Sequence, residues 1–302
     1  HTAYRRQRQM CIRDRYKAAE IVFAQSVRTV KCVRAASDSE EHLQAALDEL
    51  VDEGVNFIVY ANELLSDTNS NAFNAIISKC NTNNWLFLIG ASGIVSTCQT
   101  NFGALTDSNN VAGFCVKGFD GSNTDIAAAL TGKYAQKKPW EKLMWTDFEA
   151  VTVRDFYSSS DVEDLEDGVD GSAPFLNAII YKRQRSVASD GLTTKGGTYN
   201  YIDIPRTEYW LRALIENKIE AVLMSYEVPF SDEGIEQIRG AIAEACQEVQ
   251  DGGGINSYDI DMPLYSEISD EDRASRTLKN VIVSVQLAGH IQRIDINLEI
   301  NI

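Results

Sequence analysis

Histidine is scarce in this sequence: 3 occur in 302 residues, alongside 5 prolines and 6 cysteines. Beyond the first fifteen residues only His42 and His290 remain, the first in an expected helix and the second in an expected turn. No Ser-His-Asp or Cys-His constellation can be built from them. Zinc-ligand spacings and a redox C-x-x-C are missing, and Lys or Arg does not interleave with aromatics. No run approaches the roughly 18 apolar residues that span a bilayer. Ile89-Gly90-Ala91-Ser92-Gly93-Ile94 follows an apolar run but satisfies neither G-x-S-x-G nor G-x-G-x-x-G, and no Gly-Lys-Ser/Thr follows it. The acidic run Asp161 to Asp170 fails the EF-hand pattern, because Glu163 and Leu165 fall at the first and third ligand positions. It reads as a solvated surface. A lone Asp259-Ile260-Asp261 is a weak metal signal. The inventory assigns no catalytic, cofactor-binding or metal-ligating residue, and the chain is expected to need no cofactor and not to be an enzyme.

Basic charge is also in short supply once one segment is set aside. Arg5 to Arg15, the peptide RRQRQMCIRDR, reads as the conceptual translation of a transposase-type sequencing-library adapter, and His1-Thr2-Ala3-Tyr4 fits the upstream index. Residues 1–15 are therefore taken as non-native, and the natural N-terminus is expected to be missing. Removing its five Arg and one Asp from 28 basic and 44 acidic residues leaves 23 and 43. Such acidity argues against nucleic acid and anionic membrane surfaces as partners. The remaining cysteines, Cys32, Cys80, Cys98, Cys115 and Cys246, show no repeated short spacing and read as buried thiols.

What is present is an alternation of strand and helix signals. Two short apolar runs within Ala18 to Val33 suit strands. Asp38-Ser39 offers a cap to a helix carrying Leu43, Ala46, Leu47, Leu50 and Val51, stopped by Gly54. Val55 to Ala61, Trp85 to Gly90 and Val111 to Val116 are strand-length apolar runs. Helices are expected around Asn71 to Cys80 and Thr124 to Tyr134, and further strands over Lys142 to Val151 and Ala178 to Val187. Strands apolar on both faces and separated by helices predict an α/β fold: a mixed, largely parallel sheet with flanking helices. After a Gly- and Thr-rich loop at Ser189 to Asn200, two helices are expected. The first runs over Arg206 to Tyr226 with Leu211, Leu214, Ile215, Ile219, Val222 and Leu223 as its stripe. The second starts at Ser231, carries Ile235, Ile238, Ile242, Ala245 and Val249, and closes at Gly252-Gly253-Gly254. The expected domains are 16–198 and 199–302.

The C-terminus alternates twice. Val281, Val283, Val285 and Leu287 share one strand face. After Ala288-Gly289-His290, a second set follows: Ile294, Ile296, Leu298, Ile300 and Ile302, opposed by Asp295, Asn297, Glu299 and Asn301. A strand with one apolar face must find a sheet and a core to cover it. The expected fold thus adds a C-terminal β-hairpin or arm to the α/β sheet, and periodicity alone leaves open whether its last strand is an edge strand of its own subunit or an arm donated to a neighbour.

Several segments together resemble the sheath-like proteins of contractile phage tails. They are Tyr199-Asn200-Tyr201-Ile202-Asp203-Ile204-Pro205-Arg206 leading into Trp210-Leu211, and Val228-Pro229-Phe230-Ser231-Asp232-Glu233-Gly234-Ile235. Asp270-Glu271-Asp272-Arg273-Ala274-Ser275-Arg276 and Val285-Gln286-Leu287-Ala288-Gly289 continue the order. Upstream, Ala18-Ala19-Glu20-Ile21-Val22-Phe23-Ala24-Gln25 is similar to a strand of that family. Two departures stand out: His290-Ile291 follow Gly289 where the family has Ala-Ile-His, and Leu298 replaces the family's glycine in the last strand. The resemblance implies a self-assembling subunit of a contractile sheath in the tail of a virion, assembled in the bacterial host's cytoplasm. Its implied partners are copies of itself, a tail tube protein, and baseplate and tail terminator proteins. It also implies that terminal strands join neighbours, which makes Val283, Val285, Leu287, Ile294, Ile296, Leu298, Ile300 and Ile302 the expected subunit-interaction residues. Another tail or baseplate protein is the alternative, and a motif-free α/β ligand-binding protein or enzyme a more distant one.

Overall fold

The computed structural model describes residues 16–61, 65–118, 123–144, 146–147, 153, 155–182, 185–197 and 200–291. The chain divides into two compact units: one runs to Lys138 and includes Lys142–Pro205, and the other comprises Pro139–Glu141 and the chain from Arg206 onward.

The first unit is built on a five-stranded sheet. Its strands β1 (Phe57–Ile58), β2 (Leu86–Ser92), β3 (Val111–Val116), β4 (Leu176–Lys182) and β5 (Arg185–Ala188) lie side by side in chain order. The first four are parallel and β5 is antiparallel to β4, so the mixed, largely parallel α/β sheet is as the apolar runs imply. Parallel strands in sequential order put their right-handed crossovers on a common face. That face carries Phe87, Ile89 and Ala91 of β2, in register with Val111, Gly113 and Cys115 of β3. Helix α3 (Ser70–Asn83) covers it through Phe73, stacked on Phe87 at 6.2 Å. Helices α4 (Val95–Gly103) and α6 (Ser159–Glu166) add Phe102 and Leu165 to the same core. On the opposite face lies α5 (Asn123–Ala135), whose Tyr134 meets Phe57 edge-on at 5.8 Å; Phe57 is in register with Leu86.

Gly113 is required by packing. A Cβ there would lie 2.6 Å from Phe102 Cε1 and 2.7 Å from Leu176 Cδ2. Gly113→Ala should destabilise the first unit by about 1–3 kcal/mol, the cost of overpacking a filled core. Urea denaturation checks this, and Phe102→Leu in the same chain should recover part of the loss.

Several expectations change. Residues 16–24 form a helix, α1, where strands are expected. Ala18, Ile21, Val22 and Gln25 are buried, a 3–4 spacing that the run Ile-Val-Phe-Ala conceals. Residues 27–35 have no regular structure. Helix α2 (Glu40–Asp48) begins after Ser39 as expected, with Leu43, Ala46, Leu47 and Leu50 buried but Val51 exposed. The run Ala178 to Val187 is two antiparallel strands, with Lys182 opposite Arg185. Lys142–Met144 do not form a strand, and much of the strand expected there falls outside the described residues. The acidic run is α6, capped by Ser158 and Asp161 in a reciprocal box, with Leu165 buried. The hydrogen bond from the Ser158 backbone N–H holds the Asp161 carboxyl below its ordinary range.

Much of the Gly- and Thr-rich loop is buried: Ser189 to Thr194 and Gly196 are, while Lys195 and Gly197 are exposed. Fully buried Asn177 donates from Nδ2 to the carbonyls of Gly113 (3.1 Å) and Leu192 (2.9 Å). Its Oδ1 accepts from the N–H groups of Gly191 and Leu192, both at 2.7 Å. Thr194 N–H donates to Val111 O at 2.9 Å, and Thr194 O accepts from Phe175 N–H at 3.2 Å. The strand asparagine thus satisfies the buried backbone of Gly191 and Leu192, and backbone partners satisfy Thr194.

The second unit packs two long helices on a two-stranded sheet. Helix α7 (Asp203–Ser225) starts at the end of the first unit and continues into the second. Helix α8 (Asp232–Asp251) is capped by Ser231, whose Oγ accepts from Gly234 N–H, and buries Ile235, Ile238, Ile242, Ala245 and Val249. The sheet pairs β6 (Ile255–Asp261) with β7 (Ile282–Leu287), antiparallel, with an irregularity between Ile255 and Ser257. A short helix, α9 (Asp270–Ala274), lies between them in sequence. The expected C-terminal hairpin therefore exists, but the partner of the 281–287 strand is 255–261, where no strand is expected.

Candidate functional site

No group of three or more metal-ligating side chains occurs among the described residues. No helix among them is long and apolar enough to cross a membrane. His42 is exposed at the start of α2, with Nδ1 2.8 Å from Ser37 Oγ, while nearby Asp38 accepts from Tyr60. Cys80, Cys98, Cys115 and Cys246 are buried as expected, but Cys32 is exposed. Burial pushes the Cys80 and Cys115 thiols well up, which keeps them protonated and unreactive. Cys98 lies 3.5 Å from the Tyr157 hydroxyl, which donates to Gly93 O at 2.5 Å. These groups fasten the turn after β2 to the core. Asp259 and Asp261 lie two apart on β6, on the polar face of the hairpin.

The surface with an unmet physical requirement is that hairpin. Its register sets Tyr258 opposite Val285, Ile260 opposite Val283, and Ile255 opposite Leu287. Val283, Leu287, Tyr258 and Ile260 pack partly buried against a core of Leu211, Ile235, Ile238, Ile242 and Val249. Val285 is on the same strand face but remains 37% exposed. The other face carries Ser257, Asp259 and Asp261 of β6 with Ile282, Ser284 and Gln286 of β7. A two-stranded sheet of this kind is marginal by itself and leaves two edges to be managed.

The edges differ. Along β6, Arg239 of α8 donates from Nη1 to Ile260 O at 2.5 Å, and Gln250 donates to Asn256 O at 2.7 Å. Along β7, the only side chain among the described residues that reaches the backbone is Asn256, at Leu287 O. Antiparallel pairs alternate between exchanging both backbone bonds and exchanging none. A carbonyl of Ile260 engaged by a helix side chain marks Ile260–Val283 as a pair of the second kind. Val283 and Val285, two apart, then direct their N–H and C=O groups outward.

Beyond β7 the chain runs forward. Ala288 N–H donates to Gly254 O at 3.0 Å, and His290 Nε2 lies 2.8 Å from Trp140 O. Trp140 is brought here from a distant part of the sequence. A Cβ on Gly252 or Gly254 would lie 2.5 or 2.7 Å from its ring, so both glycines are needed beneath the indole. Its ring meets Trp210 edge-on at 5.5 Å. Neither this bed of glycines nor the histidine contact is foreseen by the sequence patterns, since nothing in periodicity links residue 140 to residues 252–290.

Of the expected interaction residues, Val283, Val285 and Leu287 come together on β7. Ile294, Ile296, Leu298, Ile300 and Ile302 lie outside the described residues. At the end of α7, Leu223, Met224 and Tyr226 are exposed, although Leu223 belongs to the stripe expected in the core.

No protein-family model matches the chain, and no curated protein sequence matches it. Solved structures do. A chain of the anti-feeding prophage baseplate, a six-fold symmetrised cryo-EM structure, superposes with a TM-score of 0.63 at 15% identity. The match covers 89% of this chain and 75% of that one. A chain of the contracted sheath complex of PVC, an extracellular contractile injection system, superposes with a TM-score of 0.64 at 13% identity, over 87% and 75%. At such identities the likeness is one of fold.

Proposed function

We propose that this chain is a structural subunit of a contractile phage-type tail or injection particle. More finely, we propose a sheath subunit that stacks with copies of itself around a tail tube and contracts by rearrangement of subunits. The observation that carries the reading is the β7 edge, whose backbone no side chain but Asn256 reaches among the described residues, with Val285 37% exposed, in a chain that also contains an alternating apolar segment at 294–302. A third strand added at β7 would extend the hairpin's apolar face and supply ladder partners to Val283 and Val285. The fold shared with chains of the baseplate and sheath complexes named above supports the same reading. In this account residues 294–302 of one copy pair with β7 of another, and the forward path past Gly254 to Trp140 favours donation over a tight return turn.

Energy for contraction is held in alternative packings of the assembly and needs no bound nucleotide. The partners in this reading are copies of itself, a tail tube protein, and baseplate and terminator proteins. The particle tail is its location, with assembly in the host cytoplasm, and the chain carries out no catalysis. The baseplate match makes another tail or baseplate structural protein the second reading. Expression of the chain without residues 1–15, followed by negative-stain electron microscopy, tests the proposal. Hollow tubes of stacked rings are expected, and a persistent monomer under assembly conditions contradicts it.

A further inference from the structure

Two of the buried cysteines meet in the core of the first unit. Cys98 on α4 and Cys115 on β3 are both fully buried, and the Cys115 thiol donates a hydrogen bond to Cys98 Sγ. We infer that this pair is a redox site: an oxidant of the peroxide class closes it to a disulfide that staples α4 to β3, and a dithiol opens it again. A chain in a reducing cytoplasm keeps the pair open, and an oxidising medium closes it. The inference concerns the first unit alone and does not rest on the proposed function.

The placement follows from a glycine. A Cβ on Gly113 would lie 2.6 Å from Phe102 Cε1, so its absence lets α4 settle directly on β3. Cys98 and Phe102 are one turn apart on α4, roughly 6 Å of helix. Gly113 and Cys115 are two apart on one face of β3, roughly 6.6 Å of strand. In a β–α–β unit the helix runs antiparallel to its strands, so the two spacings match. Phe102 over Gly113 therefore sets Cys98 over Cys115. On the other side of Cys98 Sγ the Tyr157 hydroxyl lies 3.5 Å away, anchored to Gly93 O. The hydrogen bond from Cys115 holds the Cys98 thiol below its ordinary range against burial, with a smaller contribution from Tyr157. Cys98 is thus the attacking thiolate, and Cys115 stays protonated until its neighbour is oxidised. Cys98 Sγ attacks a peroxide oxygen, the O–O bond breaks, and the leaving hydroxide becomes water with the proton that Cys98 gave up. Cys115 Sγ then attacks the sulfur of the Cys98 sulfenic acid, and the S–O bond breaks. The departing hydroxide takes the Cys115 proton as a second water. Two thiols are oxidised and one peroxide is reduced.

The test uses the full chain carrying Cys11→Ser and Cys32→Ser, which leaves Cys80, Cys98, Cys115 and Cys246. One equivalent of hydrogen peroxide on the folded chain should lower its mass by two hydrogens. After denaturation, alkylation and digestion, the peptides of Cys98 and Cys115 should be joined. Cys80 and Cys246, whose thiols burial alone pushes up, should be alkylated. The oxidised chain should melt roughly 5–10 °C higher, as closing a loop of this length predicts, and dithiothreitol should reverse both changes. Cys98→Ser and Cys115→Ser should each abolish the mass loss and the shift in melting. The peptide map of the parent chain decides the matter if neither variant folds. Four alkylated thiols after peroxide, a sulfinic acid on Cys98 with no joined peptide, or a link that forms only in urea would overturn the inference.

Discussion

A chain ending at Ile291 is expected to fold normally and to form no tubes. Among the described residues, the core of the second unit precedes Ala288, from Trp140 and Leu211 to Val283 and Leu287. The clasp between His290 and Trp140 is retained too. The melting temperature should therefore stay within about 2 °C of the full chain, a shift of well under 1 kcal/mol. Assembly is another matter. The deleted segment carries five large aliphatic residues. Burying each at a subunit contact contributes roughly 1.5–3 kcal/mol, before backbone pairing is counted and before the ordering cost is subtracted. Sedimentation and negative-stain microscopy of the two chains side by side check the result, and tubes of normal appearance from the shortened chain would rule out strand donation.

Trp140→Ala should be the most damaging single substitution in the second unit, at about 3–5 kcal/mol. The indole is buried, Gly252 and Gly254 lie flat beneath it, and Trp210 stands against its edge. The neighbouring glycines have no side chains with which to fill the space left behind. Trp140→Phe should cost clearly less, since a smaller ring still rests on the glycines. Hydrogen exchange separates a local from a global effect: peptides of α8 and β6 should lose protection, while those of β2 and β3 keep it. Uniform loss across both units, or none, would show that Trp140 does not anchor this region.

Much of this architecture was legible in residue order. β3 coincides with the apolar run Val111 to Val116 because a strand covered on both faces needs no polar alternation. Helix α8 was marked at both ends, by Ser231 and by Gly252, and along its length by isoleucines at 3–4 spacing. What escaped did so for identifiable reasons. The run Ile21-Val22-Phe23 has strand composition, but only two of the three residues are buried, and their neighbours Ala18 and Gln25 complete a helical period. β6 reads as a loop because Asn256, Ser257, Asp259 and Asp261 outnumber its apolar residues; its bulge also interrupts the alternation. Asn177 sits within an apolar run, and its four hydrogen bonds go to residues fourteen or more positions away, beyond any local pattern. At the candidate site, the β7 residues followed from alternation. The unequal edges did not, because Arg239 and Gln250 look like ordinary surface positions until α8 is laid beside β6.

The most direct measurement is the structure of an assembled tube by electron cryo-microscopy, with the chain traced through its last residue. The account predicts that residues 294–302 leave their own subunit and lie along β7 of an adjacent copy, with Ile296 and Leu298 turned toward that copy's Val285. Continuous density folding those residues back onto the subunit that bears them, with no strand passing between copies, would contradict it.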